Sequence, residues 1–359
     1  MLNLPRFHQL TALMAERQWD TLVLYGHTWR KDFFRCLVNF NFSGPHAAAV
    51  LYPTGALHVI TSDPWDAELI ASSHIQASAT SDFAFNLYIK TGGPVAIAGM
   101  EFMETRFIDA LSEPPRKPES ATFAVEEVRR VKTAEELACI RKAAELADRG
   151  YQFFAETAES GMAEYELVAE TEAFLKANGA EDNFMLIASG GTEVTGMKPP
   201  TNRKFREGDS ITTELTPQVN GYWAQICRTL VMGEPSAAQR ESFAIFSEAQ
   251  KAAEDFLRPG VNIADVARVQ NDVFRKYGYG EYTGPKYTRV RGHGLGLHCD
   301  ENPWILEDVN YTVKEDMVLI AHPNTYLPLS GYMVFGDSLL VTANSCVPLN
   351  HTERKLFQK

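Results

Sequence analysis

The stretch from Thr133 to Phe154 constrains the fold most. Thr133-Ala134-Glu135-Glu136 is a capping box, in which the threonine hydroxyl and Glu136 answer each other's orphan backbone N–H groups. Beyond it, Leu137, Ile140, Ala144, Ala147, Tyr151 and Phe154 recur at alternating steps of three and four, which places them on one buried stripe of a long helix. Two more helices are signalled downstream. Ser236 to Leu257 follows Pro235 and stops at Pro259-Gly260, and Asn262 to Tyr277 opens on an Asn262/Asp265 pair and ends at Gly278. Between and after them lie strand-like runs at 210–215, 226–231, 317–320 and 338–341. The carboxyl part therefore reads as α+β, with long helices on a curved, mainly antiparallel sheet.

The first third has a different texture. An amphipathic stretch from Leu2 to Arg17 precedes the apolar strand Thr21-Leu22-Val23-Leu24-Tyr25. The runs 47–51 and 56–60 then flank a turn at Pro53-Thr54-Gly55, and Val95-Ala96-Ile97-Ala98 follows. Strands alternating with helices predict an α/β layer. The proline-rich, charged segment Pro114-Pro115-Arg116-Lys117-Pro118 has the composition of a linker. The expected division is residues 1–125 and 126–359, and 359 residues suffice for two domains.

Composition excludes several classes. A formal net charge of −12, from 34 basic and 46 acidic residues, lacks the basic stripe of a nucleic-acid binder. No window approaches the roughly 18 apolar residues of a membrane span, and the first residues show no secretory signal. Cys36, Cys139, Cys227, Cys299 and Cys346 are odd in number and scattered, which fits reduced thiols. A cytoplasmic protein with no nucleic-acid or membrane partner is expected.

Three segments carry the chemistry. The first is Gly208-Asp209-Ser210-Ile211-Thr212-Thr213-Glu214 with Gly221-Tyr222-Trp223-Ala224-Gln225-Ile226-Cys227-Arg228-Thr229. The second is Gly292-His293-Gly294-Leu295-Gly296-Leu297-His298-Cys299-Asp300-Glu301. The third is Asp316-Met317-Val318-Leu319-Ile320-Ala321-His322-Pro323-Asn324, followed by Gly336-Asp337. In this order they resemble the creatinase/prolidase/methionine-aminopeptidase superfamily. The resemblance implies a carboxyl-terminal pita-bread fold preceded by a creatinase-type α/β amino-terminal domain.

Peptidases of that superfamily hold two divalent metals with Asp, Asp, His, Glu and Glu. Carried over by position, these become Glu214, Gln225, His293, His322 and Gly336, the catalytic His becomes Asp300, and an upstream substrate-binding His falls at Met197. One carboxylate in place of four leaves two divalent cations undercompensated, and an unpaired buried charge costs several kcal/mol. The expectation that follows is a hydrolase of a non-peptide C–N bond in a small amide, amidine or cyclic compound. It would have no cofactor and no aminopeptidase or prolidase activity, as the resemblance to creatinase and ectoine hydrolase implies. Glu214, His293 and His322 are the expected catalytic groups, with at least one imidazole pKa raised by the carboxylate. Gln225, His298, Asp300, Met197 and Arg35 are expected to line the substrate. Two alternatives remain: a mononuclear metalloenzyme holding one divalent ion with Glu214, His293 and His322, and a silent binding protein.

Bland readings cover the rest. His8, His58, His74 and His351 are structural, and Arg228 supports the sheet and a neighbouring carboxylate. Gly292, Gly294 and Gly296 serve close backbone approach, because no helix N-terminus follows for phosphate. The resemblance also implies a homodimer, and the aromatic and basic run Trp29 to Phe42 is the expected contact.

Overall fold

The computed structural model describes residues 1–114 and 116–359, and the chain divides into two compact units, Met1–Arg129 and Arg130–Lys359. Among the described residues no helix is long and apolar enough to cross a membrane.

The first unit is built on a six-stranded sheet in the order Gln76–Ala79, Leu57–Thr61, His46–Leu51, Thr21–His27, Pro94–Ala98, Lys117–Ser120. Thr21–His27 runs antiparallel to His46–Leu51 and parallel to Pro94–Ala98, so the sheet is mixed. The helix Leu4–Arg17 opens on Asn3, whose side chain accepts from the Arg6 N–H. Val23, Tyr25, Ala48, Val50, Ile60, Val95 and Ile97 form one core with Phe83, Leu87, Phe107 and Leu111 from the helices.

Two expectations change here. The segment 114–118 is not simply a linker. Pro115 lies outside the described residues, but Lys117–Ser120 pairs in parallel with Pro94–Ala98 as the outermost strand. An edge strand tolerates Pro118 because its missing N–H costs no ladder bond on the open side. The aromatic run Trp29 to Phe42 is mostly internal: Phe33, Phe34 and Phe42 are buried, whereas Trp29 is 91% exposed.

The second unit carries a ten-stranded sheet. Its main path is Glu301–Trp304, Gly292–Gly294, Val318–Ala321, Gly336–Val341, Ile226–Val231, Ser210–Val219, Asp182–Gly190. All pairings along this path are antiparallel, and only Phe357–Gln358 joins Ile226–Val231 in parallel. The long helix spans Ala134–Thr157, with the Thr133/Glu136 capping box in place. Its stripe is buried from Ile140 onward through Ala144, Ala147, Tyr151 and Phe154. The helix Ala237–Phe256 is boxed by Ser236 and Gln239, and Ile263–Lys276 is capped by Asn262.

Strand alternation then decides which residues can meet. Successive side chains point to opposite faces. Ile211, Leu215, Ile226 and Leu230 pack on Ala147, Tyr151 and Phe154 of the long helix, so that face belongs to the core. Glu214, Cys227 and Gln225 are left on the opposite face, where Glu214 and Cys227 are direct partners across two strands. By the same rule Ala321 and Leu339 join the helix-side core, which places Ile320, Ser338 and the next residue in phase, His322, on the face of Glu214. His293 is the partner of Ile320 and shares that face.

Candidate active site

Alternation therefore brings residues from three distant segments to one face, and the contacts give their geometry. Glu214 accepts a hydrogen bond from Asn324 Nδ2 at 2.6 Å on Oε1. Gln225 is buried, its backbone N–H donates to Ser338 Oγ at 2.9 Å, and its Nε2 reaches Cys227 Sγ at 3.5 Å. The rings of His293 and His322 lie 5.4 Å apart, edge to face, and both residues are buried. His293 Nε2 stands 3.2 Å from Asp300 Oδ1, and Trp304 packs against the other side of the ring with centroids 5.3 Å apart.

Hydrogen bonding fixes the His293 tautomer. Nδ1 lies 2.9 Å from the Gly294 carbonyl, which only accepts, so Nδ1 carries a proton. Neutral His293 then offers a lone pair to Asp300, and that contact is a hydrogen bond only while one of the two holds an extra proton.

The electrostatics are set by depth. Burial, with the charge of Asp300 adding to it, pushes the Glu214 carboxyl up to about 7, although hydrogen bonds from Asn324 and Cys227 pull the other way. Burial lowers the pKa of His293, against the pull of Asp300, and lowers that of His322 further, with His293 adding to the effect. The expected rise of a histidine pKa beside the carboxylate is thus corrected. At His293 the removal of an imidazolium from water outweighs the attraction of Asp300, and at His322 the neighbouring His293 and Arg291 add to it. His322 Nδ1 is buried with no hydrogen-bond partner.

The remaining predicted residues are placed unevenly. His298 sits beside Asp300, its Nδ1 3.1 Å from the Asp300 backbone N–H, and its backbone N–H reaches Glu301 Oε1 at 3.2 Å. Met197 is half-buried in the loop before Lys198, which bridges to Ile187. Arg35 belongs to the first unit, where it is buried and donates from Nε to Asn39 Oδ1 at 2.9 Å. Arg228 lies on the opposite face of the sheet from Glu214 and pairs with Asp337 at 2.7 Å. Sequence reasoning missed Asn324 and Cys227. A signal existed for Cys227: it is two residues from Gln225 on a strand, and so on the same face.

Two glycines shape the floor. A Cβ on Gly292, whose φ is +139°, would meet the Ile320 carbonyl oxygen at 2.0 Å. On Gly336 a Cβ would lie 2.4 Å from the Ala321 carbonyl oxygen and 2.7 Å from His322 Cβ. No side chain, a carboxylate included, fits at position 336 while these neighbours stay in place.

A family model, Metallopeptidase family M24, matches residues 138–343. The Xaa-Pro dipeptidases of Pyrococcus furiosus and Pyrococcus horikoshii are 33% and 31% identical over 235 residues, which is 65% of this chain and 66% of each relative. The match thus spans just under two thirds of these relatives' length. Among solved structures, the prolidase from Pyrococcus furiosus superposes with a TM-score of 0.82 at 25% identity, covering 96% of this chain and 99% of its own. A prolidase from Thermococcus sibiricus gives 0.86 at 24% identity over 100% of both chains. The fold is the pita-bread fold with a preceding amino-terminal domain, as the sequence led one to expect.

These findings overturn two expectations. Non-peptide C–N hydrolysis, with no prolidase activity, is overturned, because the similar proteins are dipeptidases and the matching family is one of metallopeptidases. The expectation of no cofactor falls with it. The error came from letting a charge count at five positions speak for the whole reaction. The donor set here still does not fit the family's two-metal centre. It offers Glu214, pushed to about 7, Asp300 turned to His293 Nε2, two imidazoles of lowered pKa and a position 336 closed to side chains. Among the described residues no group of three or more His, Cys, Asp or Glu stands where it could hold a metal ion.

Proposed function

Because the chain belongs to metallopeptidase family M24, we propose that it hydrolyses the peptide bond of a small peptide of the Xaa-Pro class. The similar dipeptidases support the substrate class. The observation that carries the reading is Glu214, a carboxyl with part of its surface accessible and a pKa of about 7. A group titrating near neutral pH can both accept and return a proton at working pH.

In this reading Glu214 in its charged form takes the proton of the attacking water and passes it to the departing nitrogen. Gln225 Nε2 has a hydrogen beyond the one turned to Cys227, and donates it to the developing oxyanion. Neutral His293 and His322 wall the site. The working unit is a homodimer, which light scattering tests.

The deciding experiment compares wild-type and Glu214→Gln protein on a panel of Xaa-Pro dipeptides, once in chelator and once with added manganese. Release of proline by the wild type, reduced about 10²–10⁴-fold in the variant, supports the reading. No release under either condition, or equal turnover by both proteins, overturns it.

A further inference from the structure

We propose that Asn324 and Cys227 are positioning residues that hold the Glu214 carboxyl in one orientation, an inference that rests on the hydrolytic reading above. Asn324 Nδ2 donates to Glu214 Oε1 at 2.6 Å, while its Oδ1 accepts the Phe335 backbone N–H at 3.2 Å. The second bond decides the first. A flipped amide would set its NH₂ against the Phe335 N–H and its oxygen against the carboxyl, two contacts that repel. The main chain therefore turns the donor end of the amide toward Glu214.

Asn324 is also unable to drift. It is fully buried, its N–H reaches the His322 carbonyl at 2.6 Å, and its own carbonyl accepts from Arg291 Nη1 at 3.0 Å. From the second side comes Cys227, the cross-strand partner of Glu214. Its thiol lies beside the Glu214 side chain on the same face of the sheet, and Gln225 Nε2 donates to its sulfur at 3.5 Å. With its sulfur accepting from that amide, the thiol keeps its own proton for the carboxyl across the strands. Glu214 would otherwise explore several side-chain rotamers, and a displacement of about 1 Å in a catalytic group costs roughly 10²-fold in rate.

Asn324→Asp tests this sharply. It keeps the shape and the bond to Phe335, and replaces the donor facing Glu214 by an oxygen. On an Xaa-Pro dipeptide kcat should fall about 10²-fold with KM little changed. Cys227→Ser, which keeps a donor, should lie closer to wild type than Cys227→Ala. Selective ¹⁵N-asparagine labelling adds a readout that needs no turnover: one side-chain amide should be shifted strongly downfield in wild type and should return on Glu214→Gln. If the wild type cleaves no dipeptide, the hydrolytic reading fails, while the amide signal still decides the orientation. Wild-type kcat in Asn324→Asp, or an amide signal blind to Glu214→Gln, overturns the inference.

Discussion

Cys227 and Arg228 are neighbours in one strand, yet they open onto opposite faces of the sheet, and the two faces pair buried charge differently. On the helix side, Arg228 gives Nη2 to Asp337 at 2.7 Å and to the Thr352 carbonyl at 3.1 Å, and Nη1 to the carbonyls of Cys227 and Gly336 at 2.9 and 2.8 Å. Arg354 reaches the second oxygen of Asp337 at 2.9 Å. On the other side, among the described residues, Glu214 receives no cation and His322 Nδ1 is left without a partner, and two imidazoles meet edge to face. Charge that is answered by charge holds a fold together. Charge that is answered only in part keeps its proton affinity open to a substrate.

The contrast can be broken at its strongest points first. Glu214→Gln should remove about 10²–10⁴ of the turnover and, read below pH 4.5 where the wild-type carboxyl is neutral as well, leave the thermal midpoint nearly unchanged, as paired kinetics and calorimetry would show. Asp337→Ala should do the reverse. It strands Arg228 in the interior and should cost about 3–5 kcal/mol, read as a lower denaturant midpoint. Equal effects of the two changes on stability would erase the distinction between the faces.

Gly336→Ala probes the boundary between them. Its Cβ has no room beside Ala321 and His322, so the loss should be about 1–3 kcal/mol of overpacking, with turnover reduced through displacement of His322. A variant as stable and active as wild type would show that the floor yields.

The smallest effects are in the pH dependence, and there the signs oppose. The Glu214 pKa is raised from 4.5 to about 7, so its neutral form is the one favoured by folding. Its contribution is present below about 4.5 and is lost as pH rises through about 7. His322 is lowered from 6.5, so it contributes above its unfolded value and loses that contribution as pH falls below 6.5. Unfolding free energy measured against pH should therefore flatten between 4.5 and 7 in Glu214→Gln, and flatten below 6.5 in His322→Gln. Parallel curves for both variants and wild type would refute the assignment of these buried groups.

Much of the architecture was legible in the chain because its signals are local. The capping box at Thr133, the Pro259-Gly260 stop after Leu257, the stripe from Ile140 to Phe154, and the strand runs around Glu214 and Arg228 all act within a few residues. The edge strand Lys117–Ser120 was not legible, because its proline and lysine read as linker until a neighbouring strand supplies the pairing. At the site, residue types were readable and depth was not. His293 and His322 could be named from their segments, but the direction of their pKa shifts depends on how much water the fold removes. Asn324 owes its part to a backbone N–H eleven residues later in the chain, a coupling that no spacing rule records.

Gly336 also bears on how this chain can change over generations. Its missing side chain is matched to the Ala321 carbonyl and to Cα and Cβ of His322, atoms that almost any residue at 322 would carry, so what site 336 tolerates is set by the path of the backbone. A larger residue at 336 becomes accessible only after the segment through 321 and 322 has moved, so the order of substitutions matters as much as their identity.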